Sequence, residues 1–248
     1  MEHMPILVAA GLLAGAMNAI AGGGSFVTFP ILILLGLPSI AANATSTVAL
    51  FPGTIASTWA YRDGLTGVAG VSLKVLLPIS VVGGLIGALL LLLAPAATFD
   101  AVVPWLLLLA TLTFAGGREL GLALARRLRI GTGTMIVCQF VISIYGGYFG
   151  GAVGLMMLAV WSLLDTAELK TMAPARTLLV SGANGAAVLC FIAAGAVRWP
   201  EMLAMLISAV LGGYGAARIA RYLPPNLIRL FVLGLSSLVT VGFFLRHF

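Results

Sequence analysis

The chain has 248 residues, of which 61% are hydrophobic and only 8% charged, and its formal net charge is +6. Soluble domains carry about 25% charged residues, so this composition excludes an ordinary soluble globule and points to an all-α, polytopic membrane protein. The basic balance does not indicate nucleic acid, because the Lys and Arg residues sit in short loops between apolar segments without interleaved aromatics.

About ten apolar segments follow one another. The first, 4–21, begins after Met1-Glu2-His3-Met4, which lacks the basic residues of a signal peptide, and it is read as part of the fold. It runs into Ala21-Gly22-Gly23-Gly24-Ser25. Within lipid, a broken helix survives only where protein or a water-filled cavity satisfies the loosened backbone. Gly22, Gly23 and Gly24 are therefore read as a break beside a transport site, with close packing of small residues as the alternative. Asn18, one turn earlier, can supply an amide, and Ser25 is placed to cap the segment that follows, 25–37. That segment and the seventh, 154–164, have only about 12 residues, or about 18 Å of a roughly 30 Å hydrocarbon core. Both are read as half-helices or re-entrant pieces.

The third segment, 39–61, carries Asn43, Thr45, Ser46, Thr47, Thr54, Ser57 and Thr58, and Pro52-Gly53 is expected to interrupt it and free a backbone carbonyl. Single hydroxyls of this kind serve helix–helix hydrogen bonding, whereas the whole stripe beside a break reads as a polar pathway. Asn43, Thr45 and Ser46 are taken as substrate contacts. Segments 66–93 and 99–116 complete the first half, and the polar interval from about Gly116 to Gly133 reads as a loop. The domain reading is a first membrane repeat over 1–117, a basic cytoplasmic linker over 118–131 and a second repeat over 132–248.

The sixth segment, 132–150, ends in Gly146-Gly147-Tyr148-Phe149-Gly150-Gly151, followed by Gly154, a second break matching the first. Tyr148, Gly150, Gly151 and Gly154 join the candidate site. The eighth, 170–195, carries Arg176, Thr177, Ser181 and Asn184; segments 200–219 and 225–245 close the chain. Arg176 lies one to two turns inside the membrane, where a cation needs a partner or must snorkel to the interface. As a site residue it would attract an anion, since its guanidinium fork suits oxyanions, with Ser181 and Asn184 one and two turns deeper. Two facing helix N-termini at the breaks would add positive potential.

The two halves resemble each other. Gly15 and Gly22 match Gly147 and Gly154 at an offset of 132, Ala42–Thr45 matches Ala173–Arg176 at 131, and Gly83-Gly84 matches Gly212-Gly213 at 129. Five segments per half, an odd number, would place the second half upside down, the inverted-repeat pattern of many secondary transporters. Placing Arg118, Arg126, Arg127 and Arg129 in the cytoplasm also places Arg62, Lys74, Lys170, Arg218, Arg221 and Arg229 there, and puts both termini outside an inner membrane.

No enzyme chemistry is readable. The acidic residues, Glu2, Asp63, Asp100, Glu119, Asp165, Glu168 and Glu201, fall in loops or at helix ends, which speaks against a carboxylate relay. Cys138 and Cys190 are isolated and read as packed thiols, and His3 and His247 lie at opposite ends of the chain, so no metal or cofactor is expected. The glycine run lacks the Lys-Ser or Lys-Thr of a P-loop.

At GAMNAIAGGGSFVTFP (Gly15 to Pro30), Gly36-Leu37-Pro38, Ala44-Thr45-Ser46, GGYFGGAVGLMMLA (Gly146 to Ala159) and Ala173 to Asn184, the chain resembles the sulfite exporter family of the TauE/SafE type. The resemblance covers nearly the whole chain and recurs in both halves. It implies a permease for sulfite, thiosulfate, sulfoacetate or related organic sulfur anions. It departs where members often read Asn-Ala-x-Lys-Asn: Pro174 replaces the first Asn while Arg176 keeps the basic character. The expectation is a membrane exporter of small sulfur anions working by alternating access. Its partners are then a small anion and membrane lipid, with a homo-oligomer left open. A coupled importer of another anion, an intramembrane enzyme and an assembly subunit are the alternatives.

Overall fold

A computed structural model describes residues 3–21, 23–68, 70–125, 131–161, 172–219 and 225–247. Among them the chain forms α1 (Met4–Ala21), α2 (Ser25–Leu34), α3 (Ser39–Ala60), a 3-10 turn (Arg62–Gly64), α4 (Leu73–Leu93), α5 (Ala96–Ala125), α6 (Thr132–Tyr148), α7 (Val153–Trp161), α8 (Ala173–Ala193), α9 (Trp199–Ile219) and α10 (Pro225–His247). The fold is an all-helical, polytopic membrane architecture. Leu73–Leu93, Ala96–Gly116 and Ala173–Ala193 are long and apolar enough to cross a membrane. The short second and seventh segments stand as helices of 10 and 9 residues. Gly22, Arg126, Arg127, Arg129, Asp165, Glu168, Lys170 and Arg221 lie outside the described residues.

Three boundaries differ from the sequence reading. α5 continues to Ala125, so the interval expected to be a loop from Gly116 is helical for its first part, and the 117/118 boundary falls inside a helix. Its Arg, Glu, Leu and Ala residues are good helix formers despite their polarity. The fourth segment starts as a loop: Val68 and Val71 exchange backbone hydrogen bonds around Gly70, whose φ is +78°, and Ser72 caps α4 by accepting from Lys74 N. Finally, Pro52-Gly53 does not break α3, which runs unbroken from Ser39 to Ala60 with Pro52 inside it. One missing N–H is tolerated where neighbouring helices support the turn.

Two glycine seams hold the bundle. On the first, Gly11 lies against Ser208 and Met205 O, Gly15 against Ala209 O, and Gly212 against Leu12 O, so α1 and α9 touch backbone to backbone. On the second, Gly83 lies against Ser143 and Phe140 O, Gly87 against Ile144 O, and Gly147 against Gly84 O, joining α4 to α6. A Cβ at any of these glycines would meet the partner helix. Small residues permit this approach, which lipid-embedded helices use in place of a hydrophobic driving force.

The seams correspond. Gly15 on Ala209 repeats as Gly147 on Gly84, and Gly212 on Leu12 repeats as Gly87 on Ile144. These contacts pair α1 with α6 at an offset of 132, and α4 with α9 at 125 rather than 129, one helical turn away. The Gly-Gly pairs align as letters, while the contacts are made by positions three apart.

α3 and α8 pack antiparallel at the centre. Thr58 meets Ser181, Phe51 closes on Gly185, and the 3-10 turn at Gly64 reaches Pro174 at the start of α8. α7 is fixed by a buried polar cluster: Trp161 Nε1 donates to Gln139 Oε1 at 3.2 Å, and Gln139 Nε2 donates to Ser80 Oγ at 2.9 Å. α2 is held differently, by rings. Phe29 stands edge-on to Phe99 and Phe149 and stacks on Phe243.

Candidate functional site

A cavity of about 260 Å³ opens between the C-terminal half of α3 and the N-terminal half of α8. On α3 its wall is Thr47, Leu50, Phe51, Thr54, Ser57 and Tyr61, a stripe at three- and four-residue spacing, which is one face of a helix. On α8 it is Arg176, Thr177, Val180 and Asn184, again one face. Asn18 at the end of α1, Ser25 at the start of α2, and Gly150 with Ala152, Val153, Gly154 and Leu155 at the start of α7 complete it. The space is large enough for a small oxyanion with part of its hydration shell.

Arg176 supplies the charge. Its stem packs on Gly154, where an added methyl would stand 3.1 Å from Cδ, so the glycine provides the seat for the side chain. Among the described residues Arg176 has no ion-pair partner: the pair present is Arg62 with Asp63, at 3.8 Å, and no carboxylate lines the cavity. Asn184 carries a side-chain oxygen buried without a hydrogen-bond partner. The wall offers donors at Asn18, Ser25, Thr47, Tyr61 and Arg176, while the Thr54, Ser57 and Thr177 hydroxyls donate to Leu50 O, Gly53 O and Pro174 O; among the described residues it holds one cation and no carboxylate. Such a site accepts an anion and opposes a cation.

The start of α7 adds backbone donors. Gly150, at φ +80°, and Ala152, at φ +58°, hold the chain in left-handed conformations before the helix. For Ala152 this is uncommon and costs about 1–2 kcal/mol, a strain typical of functional turns. The first backbone bonds of α7 run from Leu155 N and Met156 N to Ala152 O. The N–H groups of Val153 and Gly154, both in the cavity wall, therefore stand outside the helical ladder.

Of the residues expected at the site, the structure brings Asn18, Ser25, Gly150, Gly154, Arg176 and Asn184 together. Ser25 does not cap α2; Gly24 is the N-cap position, and Phe26 N and Val27 N bond back to Gly23 O and Gly24 O. The end of α2 is thereby tied up in its own turn, unlike that of α7. Gly24 packs against Ala14 O, Asn18 and Leu50, and Gly23 against Phe114, both outside the lining. Gly151 has Ser25 Oγ as a neighbour but packs on Phe149.

The remaining candidates serve contacts between helices. Asn43 Nδ2 donates to Tyr148 O at 3.0 Å. Arg198 N donates to Thr45 Oγ1 at 3.0 Å, and Ser46 pairs with the Thr28 hydroxyl. Ser181 lies 2.8 Å from the Thr58 hydroxyl and donates to Thr54 O at 3.3 Å. The Tyr148 ring stands edge-on to Phe99. The polar stripe of α3 thus divides: positions 43, 45 and 46 knit the bundle, while 47, 54 and 57 face the cavity. Tyr61, Thr177 and the apolar wall were missed, although the spacing 47, 50/51, 54, 57, 61 carries the signal.

Comparison with known proteins agrees with this architecture. A family model described as "Sulfite exporter TauE/SafE" matches residues 7–243. The probable membrane transporter protein YfcA of Escherichia coli (strain K12) is 26% identical over 236 residues, covering 95% of this chain and 87% of that protein. A probable membrane transporter protein, ORF9, of a Sinorhizobium species is 30% identical over 237 residues, covering 91% and 88%. One of Haemophilus influenzae is 28% identical over 242 residues, covering 96% and 93%. No solved structure gives a significant match. The chain belongs to the sulfite exporter TauE/SafE family of membrane transporters.

Proposed function

We propose that this protein moves small sulfur oxyanions or sulfonates across the inner membrane by alternating access, as an exporter and without catalysis. The observation that carries the reading is Arg176, seated on Gly154 in a polar cavity with no carboxylate among the described lining residues. Sulfur enters through the family, whose description names sulfite export. The matching seams, α1 on α9 and α6 on α4, and the antiparallel α3–α8 pair support an inverted repeat, and with it a site approached from the two sides in turn. With both termini outside, the cavity mouth at Tyr61 and Arg176 faces the cytoplasm.

Export of an anion runs with an inside-negative membrane potential, by about 2.3 kcal/mol per charge per 100 mV, so it needs no proton relay. The test is flux from proteoliposomes loaded in turn with sulfite, thiosulfate, sulfoacetate, sulfate and chloride, with and without an imposed potential. Movement of the sulfur anions that is accelerated by a potential negative inside is expected. No movement of any sulfur anion overturns the assignment, and movement only against a coupled ion gradient replaces the exporter with an importer.

A further inference from the structure

A second chamber, of about 290 Å³, lies at the opposite end of α3, between the α2–α3 turn, the first turns of α5 and Phe243 of α10. Phe29 forms part of its wall and stands 5.8 Å, edge-on, from Phe149, the neighbour of Gly150 in the main cavity. Phe29 thus belongs to the chamber wall, and Phe149, packed against it, adjoins Gly150 in the wall of the main cavity.

The N-terminus of α3, like those of α2, α6 and α8, has no side-chain cap. Its N-cap is Pro38, which offers no side-chain cap, and its first backbone bond runs from Ala42 N to Pro38 O. The N–H groups of Ser39, Ile40 and Ala41 have no partner among the described residues and point back along the axis toward the 36–38 turn. Ser39 itself lines the chamber, is only 9% exposed, and its hydroxyl is buried without a hydrogen-bond partner. A 22-residue helix thus ends on three free N–H groups, with an unpartnered hydroxyl at its first residue. Unpaired donors at a helix N-terminus, reinforced by its dipole, form an anion site. The other polar side chain in the wall is Asp100, an exposed carboxylate, which weakens anion binding there and favours release.

We propose that this chamber is a second, low-affinity oxyanion site, formed by the N-terminus of α3 with Ser39 and antagonised by Asp100, on the far side of the Phe29–Phe149 pair from Arg176. It holds the anion between the ring pair and the solvent.

The test reads local charge preference and does not pass through Arg176 or through flux, so its failure leaves the transport reading standing. Ser39→Cys is placed in a background of Cys138→Ser and Cys190→Ser, with Leu37→Cys on the same chamber as a second reporter should Ser39→Cys not accumulate. Labelling by an anionic and a cationic methanethiosulfonate of similar size is compared. The ratio of the two rates, divided by the same ratio for a small free thiol, cancels the reactivity of the thiol and of the reagents. Expected is a preference of about tenfold for the anionic reagent, a larger ratio after Asp100→Asn, and slower labelling in millimolar methanesulfonate. Equal rates, a faster cationic reagent, no labelling of either reporter, or no protection by methanesulfonate overturns the proposal.

Discussion

At the residue scale the proposed transport site rests on one cation and its seat, Arg176 on Gly154. Arg176→Ala removes the charge from a cavity that offers no substitute, and a charge-assisted hydrogen bond contributes about 1.5–3 kcal/mol. Flux at subsaturating anion should then fall by at least about tenfold, measured in proteoliposomes against the parent. Arg176→Lys keeps the charge but loses the fork, so it should recover only part of that loss. Gly154→Ala displaces the Arg176 stem without touching its charge; a raised KM with little change in maximal flux is expected. Arg176 and Gly154 were legible in the sequence because a membrane arginine and a glycine beside a break are both costly without a purpose. Thr45 and Ser46 were misjudged: buried hydroxyls look the same in a sequence whether they face a ligand or another helix. Their partners, Arg198 N and Thr28, lie far away in the chain.

At the element scale the half-helices are anchored by different means. α7 hangs on the Trp161–Gln139–Ser80 hydrogen bonds. Gln139→Leu would leave the Trp161 N–H buried and unpartnered, a loss of about 1–3 kcal/mol, visible as a lower thermal midpoint of the detergent-solubilised protein. The seams give a sharper contrast. Gly147→Ala drives a methyl into Gly84 O, and overpacking of this kind costs about 1–3 kcal/mol. Gly116→Ala, at a helical glycine with open space around it, should leave the midpoint unchanged or raise it. The lengths of the short helices were readable from run length alone, as was the loss of helix at the glycine breaks. The register of α4 against α9 was not, because letter matching pairs Gly-Gly with Gly-Gly while the seam is built from every third residue. The extension of α5 was hidden by polarity, since hydropathy measures lipid compatibility and not helix propensity.

At the scale of the whole molecule, the candidate site lies between α3 from the first half of the sequence and α8 from the second. If the transported species carries net negative charge, imposing an inside-negative potential on proteoliposomes with this orientation should speed efflux and slow uptake. An equal response to both polarities would mean an electroneutral cycle. The halves are further joined by seams in which main chain rests on main chain. Such a surface carries no rotamers, so it has no intermediate packings to visit and cannot loosen by degrees. α1 with α9, and α4 with α6, are then stiff two-helix beams. α8 rests on one of these beams in the same way, since Gly84 also lies against Ala183 O, while α3 meets α8 through side chains, the Thr58–Ser181 hydroxyls and Phe51 over Gly185. The glycines that bring the beams together thereby decide which helices are locked to one another by main chain and which meet through side chains.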